Sequence, residues 1–211
     1  MLDVDARPYL NNKQSHRILQ AARQVFVREG PAAFSARRVA KAASLSLGSV
    51  QHVFPTTNQL VTAMIVHVND GYEAAYRDMA QRLPFSAEDR LKAIIDYLLS
   101  DICKSEVRKF WFGFWSLSCH NPEGQSLLRK AYQWQTNNVA GFIGAARPQL
   151  SNQACMRLST HITALIEGMM IFTGMSTKTL TIKSPLIVEL RERIWSLIDA
   201  DSHMASTKRA G

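Results

Sequence analysis

The sequence predicts an all-α protein of about nine helices, and three observations carry that class. Apolar residues recur at three- and four-residue intervals through almost the whole chain. Ser, Thr, Asn, Gly and Pro cluster between those runs, where they cap or break helices. No alternating pattern of the kind a half-buried strand requires persists.

The elements follow in order. From Lys13, the positions Ile18, Leu19, Ala22, Val25 and Phe26 form one apolar stripe, closed by Gly30-Pro31, because Gly adopts a left-handed cap and Pro cannot continue a helix. Ser35 caps a second helix with Val39, Ala40 and Ala43 facing inward, and Ser44-Leu45-Ser46 interrupts it. Ser46 caps a third, barely two turns long, with Val50, Val53 and Phe54 inward and Pro55 as its stop. Thr56 stands three residues before Gln59, a capping-box spacing, and opens a long helix bearing Leu60, Met64, Ile65 and Val68 up to a break at Leu83-Pro84. Ser86, Ser105, Asn121-Pro122, Ser151 and Ser184-Pro185 then punctuate five further amphipathic runs. The expected organisation is a head over residues 1–57, a body over 58–200 and a disordered tail over 201–211.

Composition narrows the function class. The chain has 211 residues, 46% of them hydrophobic, with only 10 Gly and 7 Pro, which supports a packed core and argues against disorder. No apolar run approaches the ~18 residues of a membrane span, and Met1 to Tyr9 carries two acids and no hydrophobic stretch, so a cytoplasmic protein is expected. Cys103, Cys119 and Cys155 lack metal or redox spacing and read as reduced thiols, with redox sensing left to their exposure and thiolate character.

The six histidines never pair at metal-ligand spacing with a third ligand, and neither a phosphate loop nor a nucleophile motif occurs, so no catalytic residue, metal or cofactor is expected. The net charge of +8 is uneven. Residues 1–57 hold eight bases against three acids, a net +5, whereas the rest holds seventeen against fourteen, a net +3. Such a head either meets a polyanion or presents a solvated basic face.

Two short helices joined by a tight turn and braced by an earlier helix, in the basic quarter of the chain, make a helix-turn-helix DNA reader. Gly48 costs its helix about 1 kcal/mol relative to Ala, which close approach to DNA explains better than packing. The run Ile18-Leu19-Gln20-Ala21-Ala22, then Phe26, Glu29-Gly30, Phe34-Ser35, Val39-Ala40, Ala43, Leu45-Ser46, Gly48-Ser49-Val50, Phe54 and Leu60 resembles the N-terminal domain of TetR-type bacterial transcriptional regulators. The resemblance implies an all-helical homodimer with a ligand-binding C-terminal domain. It would act as a repressor released from a double-stranded DNA operator by a small-molecule effector.

By position, the resemblance places Arg37, Ser46, Leu47, Gly48, Ser49, Gln51, His52 and Thr57 at DNA, with Arg38 and Lys41 as either phosphate contacts or solvated charge. Three positions depart from the family: Gln51 stands for the usual tyrosine, Thr57 for a phosphate-binding lysine and Ser44 for the turn glycine. The first two remove phosphate contacts, although Gln51 can read adenine bidentately. The third requires Ser to tolerate the turn's backbone angles. The missing contacts keep open a second reading, a helical ligand-binding or dimerisation module with weak or lost DNA binding.

In the body, Phe110, Trp111, Phe112, Phe114 and Trp115 put aromatics on more than one side of one helix. They either pack the core or line a pocket. Trp111, Phe114, Trp115, His120, Trp134, His161 and Glu167 form the expected effector set, with Tyr97, Tyr132 and Phe142 as neighbours, and suit a flat or cationic molecule. Phe110 to Trp115, His120-Asn121-Pro122-Glu123 and Leu165 to Met170 are similar to the C-terminal domain of choline-responsive betaine-pathway regulators, which implies an amphipathic or cationic effector. The last two helices carry Met156, Leu165, Met169, Leu186, Leu190, Ile194 and Leu197, the pair that in this family meets its symmetry mate. Such a dimer presents its recognition helices to a palindrome about 34–36 Å, or a multiple, apart.

Overall fold

The computed structural model describes residues 12–81, 86–174 and 180–210. The acids and Arg7 of the N-terminal segment, the Leu83-Pro84 break and Met175 lie outside those residues. Among the described residues the chain forms nine α-helices and no strand: α1 (Lys13–Glu29), α2 (Ala36–Ala42), α3 (Leu47–Val53), α4 (Thr57–Gln81), α5 (Ala87–Ile102), α6 (Ser105–Cys119), α7 (Pro122–Ala146), α8 (Asn152–Gly174) and α9 (Pro185–Ala210).

Local chemistry sets the helix boundaries. Asn12, Ser35, Ser46 and Ser86 each cap a helix by accepting from a backbone N–H in its first turn, and Ser86 with Asp89 completes a capping box. Thr56 and Gln59 form a second box, with Gln59 N donating to Thr56 Oγ1 at 3.1 Å and Thr56 N to Gln59 Oε1 at 3.2 Å. Gly30 ends α1 at φ 77°. Ser44 ends α2 in the same left-handed region at φ 52°. There Leu45 N donates to Ala40 O at 2.9 Å and Ser44 N to Lys41 O at 3.1 Å, the two bonds of a Schellman stop with serine in the glycine position.

The chain divides into two compact units. The first comprises Met1–Ala74 with Lys109–Tyr132, and the second Ala75–Arg108 with Gln133–Gly211. Helices α4, α6 and α7 therefore each contribute residues to both. The core of the first unit joins Ile18, Leu19, Val25 and Phe26 of α1 to Val39, Val50, Phe54, Leu60 and Met64, and is completed by Phe110, Phe114 and Leu127 from α6 and α7. Gly113 permits that contact: a Cβ built on it would lie 2.8 Å from Phe26 Cε1, 3.3 Å from Phe26 Cζ and 3.4 Å from Pro31 Cδ.

In the second unit α5, α8 and α9 pack together, burying Leu91, Ile95, Leu98, Ile162, Ile187, Ile194 and Ile198. Arg147 holds this unit by pairing with both Glu88 and Asp199. One expectation is corrected here. The segment read as a disordered tail continues α9 to Ala210, with Ser202 buried, its hydroxyl donating to Ile198 O at 2.7 Å, and Asp201 paired with Arg157. The missing apolar periodicity past Asp199 therefore does not mark the end of the helix.

Candidate functional site

The basic surface of the first unit is built by α2, its turn and α3. Arg37 is exposed at the second position of α2, and Lys41 is exposed one turn later. Arg38 is paired with Glu29, which assigns that base to tying α2 to the end of α1. On α3 the Ser46 hydroxyl accepts from Ser49 N at 3.0 Å and lies 2.8 Å from Ser49 Oγ, so both serines are engaged in the cap. Leu47 is half-buried and Gly48 exposed; a Cβ on Gly48 would meet only Ser46 Oγ, at 3.8 Å. Packing within the chain therefore does not require glycine there, and the bare backbone faces outward. Gln51 and His52 are exposed on the same helix, whereas Val50 and Phe54 are buried at 0% and 1%, so α3 is anchored by one face and open on the other. Thr57, also exposed, begins α4.

A second feature of this unit was not visible in the sequence. Glu123, in the first turn of α7, accepts from Asn58 Nδ2 and from Thr62 Oγ1 (3.3 Å), both on the first turns of α4. Glu123 is itself fixed by its backbone N–H, which donates to Asn121 Oδ1 at 2.9 Å.

The expected effector residues fall in both units. In the first, Trp111 is half-buried with Nε1 donating to Tyr72 Oη at 3.3 Å, and Trp115 Nε1 donates to Tyr132 Oη at 2.7 Å. Phe114 is fully buried, packed on Phe110 and Trp111 in the core. His120 is exposed. In the second unit, Trp134 lies 5.0 Å from Tyr76, which is in turn edge-on to Tyr97 at 6.1 Å and Phe142 at 6.4 Å. Glu167 is half-buried and His161 exposed, both on α8.

The Tyr76 group has a definite electrostatic character. Burial pushes the Tyr76 phenol far above its ordinary range, with Tyr97 and Asp101 adding to the shift. Burial and Asp101 push Tyr97 up to about 12. Both rings stay neutral near a buried carboxylate, Asp101, whose Oδ1 accepts from Lys104 Nζ at 3.0 Å. Neutral aromatic faces attract a cation through the ring quadrupole, while the Asp101 carboxylate is already paired with Lys104. Tyr76 and Asp101 were missed from the sequence, although the four-residue spacing of Tyr97 and Asp101 places them on one face.

Burial raises the Cys103 and Cys155 thiols, which lowers their reactivity; Cys119 is exposed. Among the described residues no group of three or more His, Cys, Asp or Glu is placed to hold a metal ion, and no helix is long and apolar enough to cross a membrane. On α8 and α9, Met156, Leu165, Ile171, Phe172, Leu186 and Met204 are exposed, Phe172 to 76%.

Comparison with known proteins agrees with this geometry. Residues 18–64 match the family of bacterial regulatory proteins of the tetR type, and residues 87–184 match the C-terminal region of BetI-type transcriptional repressors. The chain is 30% identical over 155 residues to the HTH-type transcriptional regulator BetI 1 of Chromohalobacter salexigens, covering 72% of this chain and 74% of that one. It is 27% identical over 146 residues to BetI of Escherichia coli, covering 68% and 73%. A transcriptional regulator from Pseudomonas aeruginosa has the same fold, with TM-score 0.75 at 15% identity, covering 95% of this chain and 97% of that one. So does a regulator from Saccharomonospora viridis solved in complex with choline, with TM-score 0.67 at 19% identity, covering 87% and 94%.

Proposed function

The chain belongs to the TetR family of DNA-binding transcriptional regulators, and on that premise we propose that it is a cytoplasmic homodimeric repressor that leaves a palindromic operator when a small organic cation binds its body. The observation that carries the DNA half is the one-faced anchoring of α3. Val50 and Phe54 lock it to the core, while Gly48, Gln51 and His52 are exposed, as is Arg37 on α2. In this arrangement α3 enters the major groove, with Leu47, Gly48 and Ser49 at close approach and Gln51 and His52 reaching base edges. Arg37 and Thr57 flank it at the backbone, Ser46 fixes its N-terminal turn, and residues 1–57 act as the reading head on a body of 58–200.

For the effector, the Tyr76, Tyr97, Trp134 and Phe142 rings suit an organic ammonium, and the choline complex of the Saccharomonospora viridis regulator supports that class. Trp111 and Trp115, each hydrogen-bonded to a tyrosine, are a separate aromatic candidate within the first unit, with Phe114 as its packed base and His120 exposed nearby in sequence, while His161 and Glu167 are polar candidates of the second unit. The exposed apolar side chains of α8 and α9 suit a two-fold contact with a second copy. Effector binding then favours a dimer whose α4 helices hold the heads at the wrong separation.

The test is salt-titrated binding to the chain's own upstream DNA, with and without choline. Specific binding that choline weakens, and that Trp134→Ala makes insensitive to choline, supports the proposal. No preference over bulk DNA at any salt refutes the regulator reading, and equal choline affinity for free and DNA-bound protein refutes the coupling.

A further inference from the structure

The recognition helix ends at Val53 with Phe54 as its cap, and α4 begins at Thr57, so the first two turns of α4 fix where α3 points. Those turns are held from two directions. Leu60 is wholly buried in the head core, and on the other side Asn58 and Thr62 both donate to the Glu123 carboxylate of α7, 65 and 61 residues away in sequence. Thr62 is only 7% exposed, so its hydroxyl depends on this acceptor for satisfaction. Glu123 also supplies a charge that α4 lacks. The first turn of α4 contains no acidic residue, and a carboxylate beside a helix N-terminus offsets its exposed N–H groups.

From this geometry, and resting on the regulator reading above, we infer that Glu123 is a positioning residue for operator recognition: it clasps the start of α4 to the start of α7 and so sets the angle of the recognition helix. The same two helices meet again within the second unit, where Tyr76 of α4 and Trp134 of α7 are in contact. Trp134 lies eleven residues beyond Glu123 on one continuous helix, roughly three turns. Glu123 and Asn58 are exposed, and what separates the clasp from a surface ion pair, which contributes little, is the nearly buried Thr62 hydroxyl that shares the same carboxylate.

The experiment uses the full chain, its own upstream DNA and bulk DNA, with anisotropy as the readout and thermal midpoints measured in parallel. Glu123→Ala is expected to weaken operator binding about tenfold while bulk-DNA binding stays within about twofold. Glu123→Gln, which keeps one acceptor oxygen, recovers most of the loss. Asn58→Ala combined with Glu123→Ala is no weaker than Glu123→Ala alone, because both remove one interaction.

Three results overturn the inference: Glu123→Ala binding operator as tightly as wild type, additive losses for Asn58→Ala and Glu123→Ala, or a lowered midpoint with unchanged discrimination. If Glu123→Ala does not fold, Thr62→Val is judged by the same discrimination ratio. A wild-type chain without preference for its upstream DNA refutes the regulator reading and this inference together. Specific wild-type binding with indifferent variants refutes this inference alone.

Discussion

Replacing Gly113 with alanine sets two known effects against each other. In the middle of α6, Gly→Ala on its own stabilises a helix by about 1 kcal/mol. Here the new Cβ meets the Phe26 ring at 2.8 Å, well inside contact distance. A ring can swing away only if space exists, and Phe26 is 1% exposed, with Phe34 and Phe110 each at 5.7 Å. Overpacking of this kind costs about 2–3 kcal/mol at a site that cannot relax. Packing wins, and the net is a destabilisation of about 1–2 kcal/mol, or about 2–8 °C in Tm for a chain of this size. Denaturant unfolding followed by tryptophan fluorescence reports it, since Trp111 and Trp115 sit on the same helix. In a Phe26→Leu background, where the ring is gone, the same substitution should cost much less or turn favourable. A Gly113→Ala protein as stable as wild type would show that α6 does not press on the head as described.

Three further outcomes follow from other residues. Ser44→Gly relieves a left-handed backbone at φ 52° and should stabilise the chain by about 0.5–1 kcal/mol after the added unfolded-state entropy, measured by Tm. Arg37→Ala should weaken operator binding and reduce the salt slope by about 1, with unfolding free energy changed by less than about 0.5 kcal/mol because Arg37 is exposed; an unfolded head would disprove its role. Burial, and then the nearby His16 and Arg23, hold His67 below its ordinary pKa of 6.5. The unfolded chain therefore takes up a proton that the folded chain resists, so stability is complete above 6.5 and falls as pH drops below it. His67→Gln should flatten that part of the pH–stability curve.

What was legible in the sequence was what neighbouring residues decide. The caps at Ser35, Ser46, Thr56 and Ser86 and the stop at Gly30 each join groups within a few residues, so spacing alone reveals them. Ser44 was legible as a departure, and the structure shows serine taking the glycine geometry. What was not legible depends on partners far along the chain. Glu123 carries no local sign that it meets Asn58 and Thr62. The aromatic helix was half-legible: Phe110 and Phe114 are four apart and share the core face, while Trp111 and Trp115, also four apart, turn towards Tyr72 and Tyr132. Spacing divides the two pairs but does not say which faces a core. The tail failed for a related reason, because α9 continues without an apolar stripe.

The dependence of Phe26 on Phe110 and Phe114 bears on how such regulators can be recombined. A chimera cut within α4 would carry this reading head to a new body but leave behind the α6 rings that finish its core. The hybrid would expose Phe26 or force it against a foreign side chain where Gly113 now makes room. A transplant that keeps its DNA preference must take Lys109–Tyr132 along with the first 74 residues, so the transferable part is discontinuous in sequence.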